Sequence, residues 1–532
     1  MRKPHNTLDA KRSALQQAYF GQSAAEFDQA LQQAFVETPI WTGILGDRIN
    51  IVYGAKGSGK SAIAVLLANR SQSLRKRGFL IVNAESPNEE PVFQSLTDRP
   101  QLSEDQFVGL WKLYFLVLLG STLRTVAPHD ADARTVIEAL EGAELLPREP
   151  APLERLLQTV LRYVTVQLEA GLHASLPASP IGASGGIQVV LREPSPEMRG
   201  PGVVSIYQLL AAGGRALARA RATVWFILDR LDIAFERDEV IEAQALRALF
   251  HAALALSPRD YHIRLKVFLR TDIWERIAGQ FAHRADGINT PFRGAAAIQG
   301  ERIIWDMPSL RSLIARRLVF NPSITSLYRV DPRKVHDSAR EQQLLFDRIF
   351  PPRMPITDST LARVAAMLPG DSHGIVETES TFEWMLAQVR DGTGQVAPRE
   401  LILLLTNAQA AQLRRFAAGI AEDIEYKDQL FEPEALEEAV EEVSRARLFQ
   451  TLFAEYPNLY EPVECLRGGQ SRFASLEELQ GIWKMSSADT QHTVALLTYL
   501  GFFGRVQARP PEIPTEWWFV PPIYRRALAL RA

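Results

Sequence analysis

Residues 54–61 read GAKGSGKS, and no other stretch of this 532-residue chain limits its fold as tightly. The eight positions match the phosphate-loop pattern G-x-x-x-x-G-K-[ST], which works only between a strand and a helix. Both flanks comply. RINIVY at 48–53 is a short β-rich run, SAIAVLLANRSQSLRKR at 61–77 reads as an apolar-faced helix closed near Gly78, and FLIVNA at 79–84 gives the next strand. Strand, glycine-rich loop, helix, strand opens a parallel α/β sheet. A glycine turn of no function would fit the same letters; the flanking elements decide for phosphate. Gly54, Gly57 and Gly59 let the backbone turn successive N–H groups inward onto phosphate oxygens, and the following helix adds its positive end. Lys60 is expected to reach the β and γ phosphates, and Ser61 to place its hydroxyl on Mg²⁺. The expected ligands are therefore ATP and Mg²⁺, with Gly54, Ala55, Lys56, Gly57, Ser58, Gly59, Lys60 and Ser61 as the cradle.

Such a site also needs an acid at the end of another buried strand, and VWFILDRLD at 224–232 supplies one. Asp229 is expected on the metal side. Asp232 is the candidate for polarising the attacking water, against the alternative that it caps the next helix. In LKVFLRTDIWERI the strand ends at Arg270, which would lie beside the γ-phosphate if an extra strand separates the loop strand from the acid-bearing one; the alternative is an ion pair with Asp272 or Glu275. Arg399, in VAPRELILLL, stands at the start of a helix from which a guanidinium can sense phosphate, against the alternative of a solvated helix end. Lys60, Asp229, Asp232 and Arg270 are thus the catalytic candidates, with Ser61 and Asp229 on the metal.

The remaining pattern predicts an α/β P-loop NTPase sheet with a large, mostly helical insertion, a helical lid and a C-terminal winged helix. Further β-like runs are TVWFILD at 223–229, LKVFLR at 265–270 and RIIWDM at 302–307. Segment 1–40 reads as helical, 41–308 as the nucleotide core with its insertion at 85–222, 309–424 as the lid and 425–532 as the winged helix. Within the insertion, 171–202 is rich in Gly, Pro and Ser and reads as a loop or hairpin.

Composition narrows the function. Hydrophobic residues are 46% and charged residues 23%, as in globular proteins, and 59 Lys+Arg against 62 Asp+Glu leave no global basic field for nucleic acid. The single cysteine, Cys465, excludes an internal disulfide framework and Cys-rich zinc sites, and the nine histidines show no metal spacing. A cytoplasmic location is expected, since the N-terminus has no apolar stretch of signal-peptide length. The most apolar run, FVGLWKLYFLVLL at 107–119, contains Lys112 and is shorter than the roughly twenty residues of a membrane span; it reads as a buried helix, against the alternative of a membrane-associated helix, and no membrane partner is expected.

Together these residues resemble the AAA+/STAND class of P-loop ATPases, and most of all a bacterial family with an origin-recognition-like layout. The resemblance rests on GAKGSGKS, on FILDRLD at 226–232, on VFLRTD at 267–272 in the sensor-1 position, on IIWDMPSLRSLIARRL at 303–318 leading into a lid, on APREL at 397–401 as sensor 2, and on the winged-helix tail. It covers most of the chain after residue 40 and implies nucleotide-controlled homo-oligomers in which an arginine of one subunit completes the next site; Arg284, Arg293 and Arg302 stand where such a finger could sit. Bacterial signalling or phage defence is implied with it. Two features depart from the class: Arg230 occupies the place of its usual glutamate, which allows slow or absent turnover, and the long insertion is foreign to the compact module.

The helix expected to enter a DNA groove, SSADTQHTVALLTYL at 486–500, has no Lys or Arg, and only Lys484, Arg505 and Arg509 flank it. Trp517, Trp518 and Phe519 read as core rather than a base-stacking platform. A protein partner is therefore expected ahead of DNA, with an ATP-dependent DNA-binding or remodelling protein as the alternative function. A small-molecule kinase is disfavoured by length and by the lack of an acceptor site.

Overall fold

The computed structural model describes residues 8–85, 93, 102–172, 187–191, 202–231, 239–275, 277, 300–354, 380–420, 428–506 and 517–531. The chain divides into two compact units, one of Glu37–Ala55 with Lys60–Ile303, the other of Met1–Val36, Lys56–Gly59 and Ile304–Ala532.

The unit containing Glu37–Ala55 is built on five strands: β1 (Ile51–Gly54), β2 (Phe79–Asn83), β3 (Thr223–Leu228), β4 (Ile263–Arg270) and β5 (Gly300–Arg302). All pairs are parallel, in the order β2-β3-β4-β1-β5. The loop strand and the acid-bearing strand are thus separated by β4. The fifth strand lies ahead of the predicted 302–307, for a local reason. Asp306 accepts from the Ser309 N–H at 2.8 Å and Pro308 occupies the first turn, so a helix starts at Met307 and the extended chain stops.

The helices of this unit include α1 (Lys60–Asn69), α2 (Glu104–Val126), α3 (Ala131–Gly142), α4 (Ile206–Arg219) and α5 (Glu239–Leu256). Ser103 and Gln106 form a capping box that starts α2. Helix α2 runs 23 residues, longer than its apolar run, and by length and composition it is the one described helix able to cross a membrane. Its faces are covered instead. Trp111, Tyr114 and Phe115 are fully buried, the Trp111 indole N–H donates to the Ala245 carbonyl at 2.8 Å, and the Tyr114 hydroxyl donates to the Ala84 carbonyl at 2.9 Å. Each such ring contributes about 1.5–3 kcal/mol by burial. Of the stretch 171–202, expected as a loop or hairpin, the described strand Gln188–Val190 pairs in parallel with Val203–Ser205, so these two strands do not form a hairpin with one another.

In the other unit, α6 (Met307–Val319) packs with the chain's first segment: Arg317 meets Asp28 at 2.6 Å with both side chains nearly sealed from solvent, and Asn321 bonds the backbone of Tyr19 in both directions. Helices α7 (Pro398–Ala418) and α8 (Pro433–Ala446) lie against one another. Beyond a π-helical segment, Arg447–Phe453, come α9 (Leu476–Trp483) and α10 (Ser487–Tyr499) and the strands β6 (Arg472–Phe473), β7 (Gly504–Val506) and β8 (Trp517–Phe519). The strands form an antiparallel sheet in the order β6-β8-β7, completing a winged helix. Its sheet has three strands where the sequence predicts two, because β6, two residues long, carries no pattern of its own. Of the three aromatics expected in the core, Trp518 and Phe519 are buried and Trp517 is half-buried.

Candidate nucleotide-binding site

Strand β1 ends at Gly54 and α1 begins at Lys60, so the intervening loop must reverse within a few residues. Gly57 and Gly59 make the turn at φ +80° and +101°, values at which a Cβ is strained. Lys60 curls back over the loop, its ammonium donating to the Gly54 and Ala55 carbonyls, both at 2.9 Å. Ser61 follows in the first turn of α1, where backbone N–H groups are free of intrahelical partners.

The loop tip, Lys56–Gly59, groups with the unit of Ile304–Ala532, and three contacts there hold it. The Trp305 indole N–H donates to the Ser58 carbonyl at 2.8 Å. The Arg399 backbone N–H reaches the Gly57 carbonyl at 3.4 Å, and the stem of Arg399 lies so near that a Cβ on Gly57 would stand 2.8 Å from the Arg399 Cβ. Lys56 pairs with Glu455 at 2.6 Å. Arg399 stands in the first turn of α7, behind Pro398, as the helix-start reading expected.

On the sheet side, Arg270 ends β4 in register with Gly54. Its guanidinium is forked onto Asp272 at 3.0 and 2.8 Å, so the ion-pair alternative is the arrangement formed. Asp229 is the first residue beyond β3, one step past the row Leu228, Val267 and Ile51. The following Arg230 takes φ +60°, uncommon for a residue with a Cβ, which turns the chain sharply just after the acid. Asp232, Arg284, Arg293 and Arg509 lie outside the described residues. Arg302 is the last residue of β5, paired with Tyr53.

The donor set suits a triphosphate with Mg²⁺. Ser58 is 5% exposed and its hydroxyl has no hydrogen-bond partner among the described residues; buried hydroxyls rarely stay so without a ligand or water. A Cβ at Gly59 would meet nothing nearer than the Trp305 ring at 3.8 Å, so the loop is open there. Ser61 and Asp229 offer the hard oxygens that Mg²⁺ takes. The sequence carries no signal for Trp305 or Glu455: Trp305 lies within a β-like run, and Glu455 belongs to no motif.

No protein-family model and no curated protein matches the chain. Among solved structures it is similar to the Aeropyrum pernix ORC1 protein in complex with DNA, at 12% identity over 96% of each chain with a TM-score of 0.34. It is similar as well to the ORC2 protein of that organism in its ADP form, at 13% identity over 94% of this chain and 91% of that one, with a TM-score of 0.29.

Proposed function

We propose that the chain is an ATP-binding, slowly hydrolysing molecular switch of the AAA+/STAND class. One observation carries the reading: a loop of the phosphate-binding sequence, with Gly57 and Gly59 at positive φ and Lys60 folded over it, opens a helix in a parallel sheet of the order β2-β3-β4-β1-β5. In this reading Lys60 exchanges two loop carbonyls for phosphate oxygens, a stronger charge-assisted contact. The loop N–H groups and the start of α1 hold the remaining phosphate charge. Ser61 and Asp229 would hold Mg²⁺, which would supply positive charge against the phosphates. Arg399 senses the phosphates from the start of α7. Arg270 has to leave Asp272 before it can touch the γ-phosphate, so its fork acts as a brake. With Arg230 in the place of the class glutamate, activation of water falls to Asp232, and turnover is slow.

The partners in this reading are further copies of the chain, assembled on ATP binding through an arginine from a neighbouring subunit, and a protein that the C-terminal domain engages, in a cytoplasmic setting of bacterial signalling or phage defence. Helix α10 carries no Lys or Arg, which weighs against DNA as that partner. The test is a calorimetric titration of Mg·ATP into parent and Lys60→Ala proteins, with steady-state turnover of parent and Asp232→Asn, each with and without duplex DNA. Equal affinity in Lys60→Ala refutes the nucleotide reading. Turnover raised several-fold by DNA replaces the switch with the DNA-remodelling alternative.

A further inference from the structure

Beside Arg399 stands Glu400, 5% exposed, in the first turn of α7. Burial pushes its carboxyl pKa up, and Arg447 opposes that shift. One carboxylate oxygen accepts from the Arg447 guanidinium at 2.9 Å; the other has no hydrogen-bond partner among the described residues. Arg447 is itself 9% exposed and donates its Nε–H to the hydroxyl of Tyr524, which is 1% exposed, while Asp391 lies 3.8 Å from another guanidinium nitrogen. Buried pairs of this kind add little net stability over apolar side chains of equal volume; what they fix is position.

The position fixed here is the start of α7, where Arg399 meets Gly57 of the loop tip. Arg447 opens the π-helical segment Arg447–Phe453, and two residues past its end Glu455 holds Lys56 of the same loop tip. π-Helical turns recur at functional sites. The stretch 447–455 therefore reaches the loop by two routes, one through Glu400 and Arg399 and one through Glu455, and Tyr524 of the winged-helix domain braces the first.

We infer that Arg447 and Glu400, braced by Tyr524, are positioning residues that hold Arg399 on the phosphate loop and make nucleotide affinity depend on the state of the C-terminal domain. The inference rests on the nucleotide reading of 54–61. Coupling of this kind is reciprocal, so a partner that moves Tyr524 or Arg447 changes ATP affinity, and ATP changes the affinity for that partner.

The experiment is a titration of the full-length protein with a fluorescent ATP analogue, using parent, Lys60→Ala, Arg399→Ala, the double variant Glu400→Leu/Arg447→Met, and the triple variant joining it to Arg399→Ala. The double variant keeps volume and removes both charges, and it is expected to bind about tenfold more weakly. The triple variant is expected within about twofold of the double, since both changes remove one effect. A double variant with parent affinity overturns the inference, and so do losses that multiply in the triple, because a merely structural pair would act independently of Arg399. Should circular dichroism show the double variant unfolded, Tyr524→Phe decides: weaker binding supports the brace, unchanged binding overturns it. If parent binding is indifferent to Lys60→Ala, the nucleotide reading itself falls and takes this inference with it.

Discussion

Gly57→Ala is the substitution whose effect follows most directly from the loop geometry. At φ +80° an L side chain costs about 1–2 kcal/mol. The added Cβ would also stand 2.8 Å from the Cβ and 3.1 Å from the Cδ of Arg399, well inside the 3.5–4.0 Å at which carbons rest. The Arg399 Cβ cannot swing away, since it rides on the first turn of α7 behind Pro398. Overpacking of this kind costs about 1–3 kcal/mol. The tip contacts that resist movement, one indole bond to Ser58, one long bond to Gly57 and one ion pair at Lys56, contribute a comparable amount. The loop therefore yields rather than the fold, and restoring its binding shape for ATP costs about 2 kcal/mol, or about thirtyfold in Kd. Calorimetric titration with Mg·ATP reads that loss, and a thermal melt without nucleotide is expected to move little. Arg399→Ala does not relieve the clash, because alanine keeps the Cβ. Against an Arg399→Gly background the effect of Gly57→Ala shrinks to the backbone strain alone, about fivefold. A Gly57→Ala protein that binds ATP within about threefold of the parent, or rescue by Arg399→Ala, refutes the reasoning.

Trp305→Phe deletes the indole donor to the Ser58 carbonyl and keeps most of the ring; losing one such bond, at about 1 kcal/mol, weakens ATP about fivefold in the same titration, and unchanged affinity removes Trp305 from the site. In the insertion, Arg219 bonds Asp130 and, with the Ala133 N–H, holds that carboxylate down from 3.8 to about 2. Because the folded pKa is depressed, the pairing stabilises above pH 3.8 and is lost as pH falls through about 2. Urea midpoints across that window are expected to fall more steeply for the parent than for Arg219→Ala; parallel curves would show that the pair contributes nothing.

What could be read from the sequence was what local chemistry determines. The strand, loop and helix around 54–61 follow from contiguous residues, and the end of the β-rich run at Asp229 places that acid at a strand end. Arg399 was legible because Pro398 and the apolar spacing after it mark a helix start. Its meeting with Gly57 was not, since no periodicity links positions so far apart. The Trp305 bond to Ser58 spans 247 residues, and RIIWDM, β-like by composition, hid the cap at Asp306 that ends the strand. The three-residue strands Gln188–Val190 and Val203–Ser205 are too short for alternation to register, and a parallel pairing leaves no turn signature between them. Glu400 stands alone as an acid at the start of an apolar helix, and the sequence does not show the long-range partner, Arg447, that pairs it in the interior.

The loop itself separates the legible from the hidden. In G-x-x-x-x-G-K-[ST] the fixed letters answer to phosphate, and here they are Gly54, Gly59, Lys60 and Ser61, with the Lys60 ammonium bonded within the loop. The free letters are not fixed by phosphate alone. In this chain Lys56, Gly57 and Ser58 each have a separate partner, Glu455, Arg399 and Trp305, so the variable positions of the motif carry the contacts particular to this protein. A motif match reads the chemistry from the fixed positions; what this protein couples to that chemistry is written at the others, and it became readable only when the fold supplied the second half of each pair.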